Sequence, residues 1–216
     1  SMIALGEIAR KHDLFLLSDE VYREFCYTDE PHFSAMNIPG LEQNVILIDS
    51  VSKRYNLCGA RIGCIISHNK DVMAAAMKFA QARLCPPVLG QRAAIGALDT
   101  PDSYFEEVKA EYIKRRDFMI EGLNKIEGVY TPLPMGAFYT IAELPVDDTE
   151  KFAKWMLESF RIDNETTMVT PAASFYRTPG MGKNHARIAY VLEVDELKKA
   201  LHILEEGLKA YPGRTL

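Results

Sequence analysis

The sequence predicts an α/β protein, with a mostly parallel, helix-covered sheet followed by a smaller α/β domain. Three observations carry this. Leu14-Phe-Leu-Leu17 and Val45-Ile-Leu-Ile48 are continuously apolar rather than alternating, as strands buried on both faces of a parallel sheet are. Stretches with helical spacing precede and follow them. Beyond Gly128 the pattern shortens to brief strands alternating with helices.

Taken in order, Ala4 to Lys11 reads as the last turns of an amphipathic helix, with Leu5, Ile8 and Ala9 on one face. The strand Leu14–Leu17 follows, then Val45–Ile48 and Arg61–Ile66. Helical spacing runs from Asp71 to about Arg83, is interrupted by Pro86-Pro87, and resumes over Leu89–Leu98. Ser103-Tyr-Phe-Glu106 has the form of a capping box. It would open a long helix reaching about Ile126, with Phe105, Val108, Tyr112, Met119, Leu123 and Ile126 as its buried stripe. Strands are expected at Val129–Thr131, Ala137–Ile141, Met168–Thr170 and Arg187–Val191, and helices at Thr149–Phe160 and Val194–Ala210. The expected domains are residues 1–112 and 113–216, joined through the helix 103–127.

Composition bounds the function. The 216 residues are 48% hydrophobic and 25% charged, which suits a folded domain and excludes a disordered or low-complexity chain. A net charge of -5 gives no basic footprint for nucleic acid. Cys26, Cys58, Cys64 and Cys85 lack metal or CxxC spacing and read as reduced, mostly buried thiols. No apolar run is long enough for a bilayer, and no secretion pattern opens the chain, so a cytoplasmic address is expected.

Two motifs carry chemistry. In Ser50-Val-Ser-Lys-Arg-Tyr-Asn-Leu-Cys-Gly-Ala-Arg-Ile-Gly63, Lys53 follows a buried strand, two serines precede it, and Arg61 lies beside glycines. Hydroxyls, a lysine and an arginine around a strand end make an anion site with an amine at its centre. A phosphorylated aldehyde cofactor needs such a site: donors for the phosphate, a nucleophile for the carbonyl. In Ser18-Asp-Glu-Val-Tyr22, Asp19 stands at the carboxyl end of a strand, where open α/β sheets place ligands. An acid in so apolar a setting wants a cation, and a protonated pyridine nitrogen is one candidate. Tyr22, one turn further on, can aim its hydroxyl at the same place.

Together these motifs resemble the fold-type I pyridoxal-phosphate aminotransferases of class I/II, which include the aspartate, aromatic and alanine enzymes. The lysine-attachment signature is matched at every constrained position from Ser50 to Gly63. Pro134-Met-Gly-Ala-Phe-Tyr139, Val169-Thr-Pro-Ala-Ala-Ser-Phe175 and His185-Ala-Arg-Ile-Ala189 resemble further parts of that family, so the likeness covers essentially the whole chain. It implies a pyridoxal 5'-phosphate large domain, incomplete here, plus the small C-terminal domain. It also implies a ping-pong exchange of an amino group between an amino acid and a 2-oxo acid, in a homodimeric full-length parent.

The resemblance assigns roles by residue. Lys53 would form the internal aldimine and shuttle the substrate proton, for which it must lose its own. Asp19 would keep the pyridine nitrogen protonated, and Tyr22 would donate to the ring's phenolic oxygen. Ser50, Ser52 and Arg61 would hold the phosphate. Arg187 would fork onto the substrate α-carboxylate. Taken singly, each has a plainer reading: Asp19 as an N-cap, Tyr22 as packed aromatic, the serines as local backbone partners, Arg187 in a structural ion pair. Arg83, near the double proline, would either meet a distal substrate carboxylate or end a helix in solvent.

Family members are about twice as long. Their glycine/serine-rich phosphate-wrapping helix start, ring-stacking aromatic and Asn-Pro loop find no match here, and Ser1-Met2 reads as a tag remnant, so a fragment is expected. Its sheet would then expose an unpaired edge and an apolar face, inviting aggregation or a partner. Two alternatives to transamination stay open: a catalytically inactive fragment, and another carbanion chemistry such as carbon–sulfur elimination or cyclising synthesis. A pyridoxal-phosphate-sensing transcription regulator would need a helix-turn-helix and basic charge that the chain lacks.

Overall fold

The computed structural model describes residues 2–216, and the chain divides into two compact units, residues 1–107 and 108–216. The division falls inside one long helix.

The first unit opens with α1 (Met2–Lys11) and β1 (Leu16–Asp19). A loop containing a 3-10 turn at Ala35–Asn37 leads to β2 (Val45–Ser50), the short α2 (Val51–Arg54), and β3 (Gly63–Ile66). The helices α3 (Lys70–Arg83) and α4 (Val88–Ala97) follow. Asn69 caps α3 by accepting the amides of Asp71 and Val72, both at 3.0 Å, which satisfies two of the donors that a helix start leaves orphaned.

β1 and β2 pair in parallel with Asp19 opposite Ile48, whereas β3 returns antiparallel with Gly63 opposite Ser50. The sheet is therefore mixed. The link between β2 and β3 holds only the four-residue α2 and a 3-10 turn, and the chain folds back beside β2 instead of crossing the sheet face on a long helix. This topology puts three features at one end of the sheet: the carboxyl ends of β1 and β2 and the start of β3.

Burial in this unit differs from the sequence expectation. Its core is the small cluster of Ala9, Ala35, Ile38, Leu41 and Val45. On α1 the buried positions are Gly6 and Ala9, while Leu5 and Ile8 are exposed. Gly6 is inside because any Cβ there would lie only 2.8 Å from Ile38 and 2.9 Å from Leu41. Leu17 of β1 is 63% exposed rather than buried on both faces. Ile65, Ile66, Phe79, Leu89 and Leu98 are also exposed. The sheet order β1-β2-β3 leaves β1 and β3 as edges. The expected open edge and apolar face are thus present. Cys58, Cys64 and Cys85 are exposed, not buried: Cys58 lies in a 3-10 turn, Cys64 on the edge strand β3 and Cys85 in the loop after α3.

The second unit begins within α5 (Asp102–Lys125) and contains β4 (Tyr139–Glu143), α6 (Thr149–Ser159), β5 (Thr170–Pro171), β6 (His185–Ala189) and α7 (Val194–Ala210). The capping box at Ser103 does not form. The helix already starts at Asp102, and Tyr104 N–H donates to the Pro101 carbonyl, so Ser103 lies inside the first turn. Pro101 immediately precedes the helix, and its carbonyl accepts the first-turn amide in place of the serine cap expected two residues later. The strand expected at Val129–Thr131 is only an isolated bridge between Tyr130 and Glu143.

β6 sits between β4 and β5 and is antiparallel to both. Against this sheet pack Met119, Leu123 and Ile126 of α5, Phe152 and Met156 of α6, and Leu197, Leu201, Leu204 and Leu208 of α7. The spacing of the α7 leucines puts them on one helical face, so the helix is amphipathic and its apolar stripe is consumed by the core. Asp148 caps α6 through the amides of Glu150 at 2.9 Å and Lys151 at 3.4 Å.

Candidate active site

Ser50 ends β2 in extended conformation and caps α2, its side chain accepting the Ser52 amide at 3.0 Å. The two hydroxyls are 2.8 Å apart, and Ser50 Oγ is also 2.8 Å from the Ile62 carbonyl. One hydroxyl has one proton, so Ser50 serves one of these acceptors at a time. The Ile62 carbonyl also receives the Val51 amide at 3.3 Å. The strand end, the short helix and the approach to β3 are thereby bound together.

Lys53 lies in the last turn of α2, half-buried, with Nζ 6.0 Å from the centre of the Tyr22 ring. Tyr22 is in a turn, not a helix. Arg23 N–H donates to the Glu20 carbonyl at 3.0 Å and Phe25 N–H to the Tyr22 carbonyl at 2.8 Å. Asp19 is exposed at the end of β1 and accepts the Val21 amide at 3.2 Å.

Arg61 takes the left-handed conformation, φ 56° and ψ 42°, which costs a side-chain-bearing residue about 1–2 kcal/mol. Its Nη1 donates to the Cys58 carbonyl at 2.9 Å. The remaining guanidinium donors are unengaged among the described residues, leaving most of a five-donor fork for a ligand. Ser50, Ser52, Arg61 and Arg83 all line one open groove of about 510 Å³. Asp19, Tyr22 and Lys53 do not line it, although Val21 does.

Asp49 and Cys64 also line the groove, and their charge matters. Arg54 holds Asp49 at 2.5 Å and stands 3.2 Å from Glu24. Burial works against the Arg54 charge, but Asp49 outweighs it and the guanidinium pKa is raised. The Asp49 carboxylate is thus neutralised in place rather than left to repel an anion. Cys64 is exposed to solvent overall, but the groove partly desolvates its sulfur, and this, then the Asp49 charge, pushes the thiol pKa up.

Glu20 was missed by the sequence reading. It is buried, and Oε1 accepts Ser18 Oγ at 3.1 Å, Ser34 Oγ at 3.0 Å and the Ala35 amide at 2.9 Å. Oε2 lies 2.8 Å from His32 Nε2. Burial alone would raise its pKa, but hydrogen bonds from His32, Ala35, Ser34 and Ser18 together hold it below the ordinary value. Nothing in the local sequence tells a buried glutamate from a solvated one.

Arg187 belongs to the second unit, on β6 opposite Ile141 and Thr170. Its guanidinium lies 5.5 Å from the Tyr139 ring centre and 5.4 Å from that of Phe175. It forms no ion pair among the described residues, so the structural-pair reading does not hold there. Two π faces hold the cation without occupying its hydrogen-bonding fork.

Among the described residues, no group of His, Cys, Asp and Glu is placed to hold a metal, and no helix is long and apolar enough to cross a membrane.

The aspartate aminotransferase of Pyrococcus horikoshii is 29% identical over 209 residues, which are 95% of this chain and 51% of that protein. The aromatic-amino-acid aminotransferase 2 of Thermococcus litoralis is 29% identical over 212 residues, covering 95% and 51% respectively. Among solved structures, an aromatic aminotransferase from Pyrococcus horikoshii superposes with a TM-score of 0.82 at 28% identity, over 96% of this chain and 54% of that one. An aspartate aminotransferase from Thermotoga maritima gives 0.81 at 27% identity, over 97% and 52%. The chain spans about half the length of the curated relatives it matches. The family model for aminotransferase class I and II matches residues 3–204, and the chain belongs to that family.

Proposed function

We propose that this chain supplies the lysine-bearing part of an amino acid aminotransferase, which moves an amino group from an amino acid to a 2-oxo acid in two alternating half-reactions. The observation that carries the reading is the convergence at one end of the first unit's sheet. Lys53 stands there beside Tyr22, and Ser50, Ser52 and Arg61 line a common groove.

The donor set fits pyridoxal 5'-phosphate. A phosphate dianion calls for the hydroxyl of Ser52, helped by Ser50, and for the open fork of Arg61. When bound, the cofactor supplies an electrophilic aldehyde and a ring that accepts an electron pair. Lys53 Nζ would be the nucleophile toward that aldehyde and the base that removes and returns the proton at the substrate α-carbon, a role that requires its neutral form. The Asp19 carboxylate would pair with a cationic ring N–H, and the Tyr22 hydroxyl would donate to an anionic ring oxygen. Arg187 offers a bidentate fork for the substrate α-carboxylate. The aspartate and aromatic relatives make amino acids the substrate class proposed; a homodimeric parent is proposed from the family resemblance alone.

Reduction with borohydride in the presence of pyridoxal phosphate, followed by peptide mass spectrometry, tests the reading. We expect labelling at Lys53 that vanishes in Lys53→Ala. Labelling spread over surface lysines and unchanged by the substitution would overturn it.

A further inference from the structure

We propose that Glu20 is a positioning residue: its buried carboxylate clamps the Asp19–Tyr22 segment to the loop at residues 32–35. The inference rests on the reading above that Asp19 and Tyr22 hold the cofactor ring.

Glu20 sits between those two residues and is only 3% exposed. It is fixed on every side. Its amide donates to the Ile48 carbonyl at 2.9 Å, extending the β1–β2 ladder by one step, and its carbonyl accepts Arg23 N–H at 3.0 Å. Both carboxylate oxygens are engaged, by Ser18, His32, Ser34 and Ala35. Ser34 is itself oriented, since its Oγ accepts the Met36 amide at 3.2 Å. Three of the four partners are twelve to fifteen residues away, so the contact is tertiary, not a local turn.

The segment needs such a clamp. β1 ends at Asp19, and no helix takes over; the backbone runs through turns to Phe25. Among the described residues the Asp19 side chain has only the Val21 amide as a partner, one weak local bond on an exposed residue. Burying a carboxylate is costly unless its hydrogen bonds are fully made. A charge satisfied four ways, between two ring-holding residues, converts that cost into a fixed backbone. Catalytic groups work only when held to within about half an ångström, and neighbouring hydrogen bonds supply that restraint.

The test uses the whole chain, as wild type, Glu20→Ala and Glu20→Gln. Hydrogen exchange without ligand is the first readout. In Glu20→Ala the amides of residues 19–25 should exchange about tenfold faster, while those of the second unit keep their rates. Glu20→Gln retains an acceptor oxygen and should accelerate them less. The second readout is affinity for pyridoxal phosphate set against affinity for inorganic phosphate. The clamp predicts that Glu20→Ala weakens the former about tenfold and the latter less than about twofold, because Ser52 and Arg61 lie outside the clamped segment. Unchanged exchange at 19–25 in both variants, or equal weakening of both ligands, would overturn the proposal. A wild type that prefers pyridoxal phosphate no more than phosphate would sink the functional reading instead, and the exchange rates alone would then decide the clamp.

Discussion

Lys53 Nζ lies 6.0 Å from the centre of the Tyr22 ring, although thirty-one positions separate the two residues in the chain. Parallel pairing of β1 with β2 brings them together, because both strands end at the same side of the sheet. We predict that Tyr22→Phe, which keeps the ring and loses the hydroxyl, leaves the melting temperature within about 2 °C and preserves Lys53 labelling by pyridoxal phosphate. It should weaken cofactor affinity several-fold, as loss of one hydrogen bond worth about 1 kcal/mol would. Equilibrium titration by absorbance measures it.

Gly90 controls how closely α4 approaches the Arg61 turn. A Cβ at this position would lie 2.5 Å from the Ala60 backbone oxygen and 3.3 Å from Ile62. A backbone atom cannot step aside as a flexible side chain can. Gly90→Ala gains about 0.5–1 kcal/mol of helix propensity but incurs about 1–3 kcal/mol of overpacking. The net expectation is a less stable first unit with weaker phosphate binding at Arg61. Denaturant melts with a phosphate titration check this, and an unchanged midpoint would refute it.

Phe152 is fully buried in the second unit, stacked with Trp155 and edge-on to Tyr211 at a centroid distance of 5.2 Å. Phe152→Ala should cost about 3–5 kcal/mol, the range for emptying a ring-sized site in a packed core. Loss of near-ultraviolet circular dichroism from Trp155 at lower denaturant is the signal to follow.

Tyr211 defines an alkaline limit. Burial first, then its hydrogen bond to Asp147 at 3.0 Å, push the phenol up to about 12 from its ordinary 10. The folded state thus binds this proton more tightly than the unfolded one. Its stabilising contribution is complete below pH 10 and is lost as pH rises toward 12. Glu20 behaves oppositely. Its folded pKa lies below the ordinary 4.5, so its contribution is complete above that value and is lost as pH falls through the folded pKa. Stability–pH curves for Tyr211→Phe and Glu20→Gln should flatten at the alkaline and acid ends respectively. Curves superimposable on wild type would contradict both assignments.

Arg187, exposed and within cation–π distance of Tyr139 and Phe175, should tolerate replacement without unfolding. In a catalytically competent polypeptide carrying this chain, Arg187→Lys should raise KM for the amino donor by about 10–100-fold, since a lysine cannot fork onto a carboxylate. A KM within twofold of wild type would remove Arg187 from the carboxylate role.

Much of the local geometry of the candidate site was readable in the chain itself. The signature from Ser50 to Gly63 is contiguous, and its local geometry follows from local chemistry. A serine at a strand end caps the next turn, Asn56 tolerates its left-handed φ of 52°, and α7 runs over the predicted residues because its leucines recur at helical spacing. Burial was not readable in that way. That Leu17 faces outward, that β3 runs against β2, that Glu20 is interred with four partners, and that two aromatic rings cradle Arg187 all depend on residues distant in sequence. Propensity and periodicity act over a few residues and are written in the sequence directly. Solvent exclusion and charge pairing belong to the surroundings, and only the tertiary structure decided them.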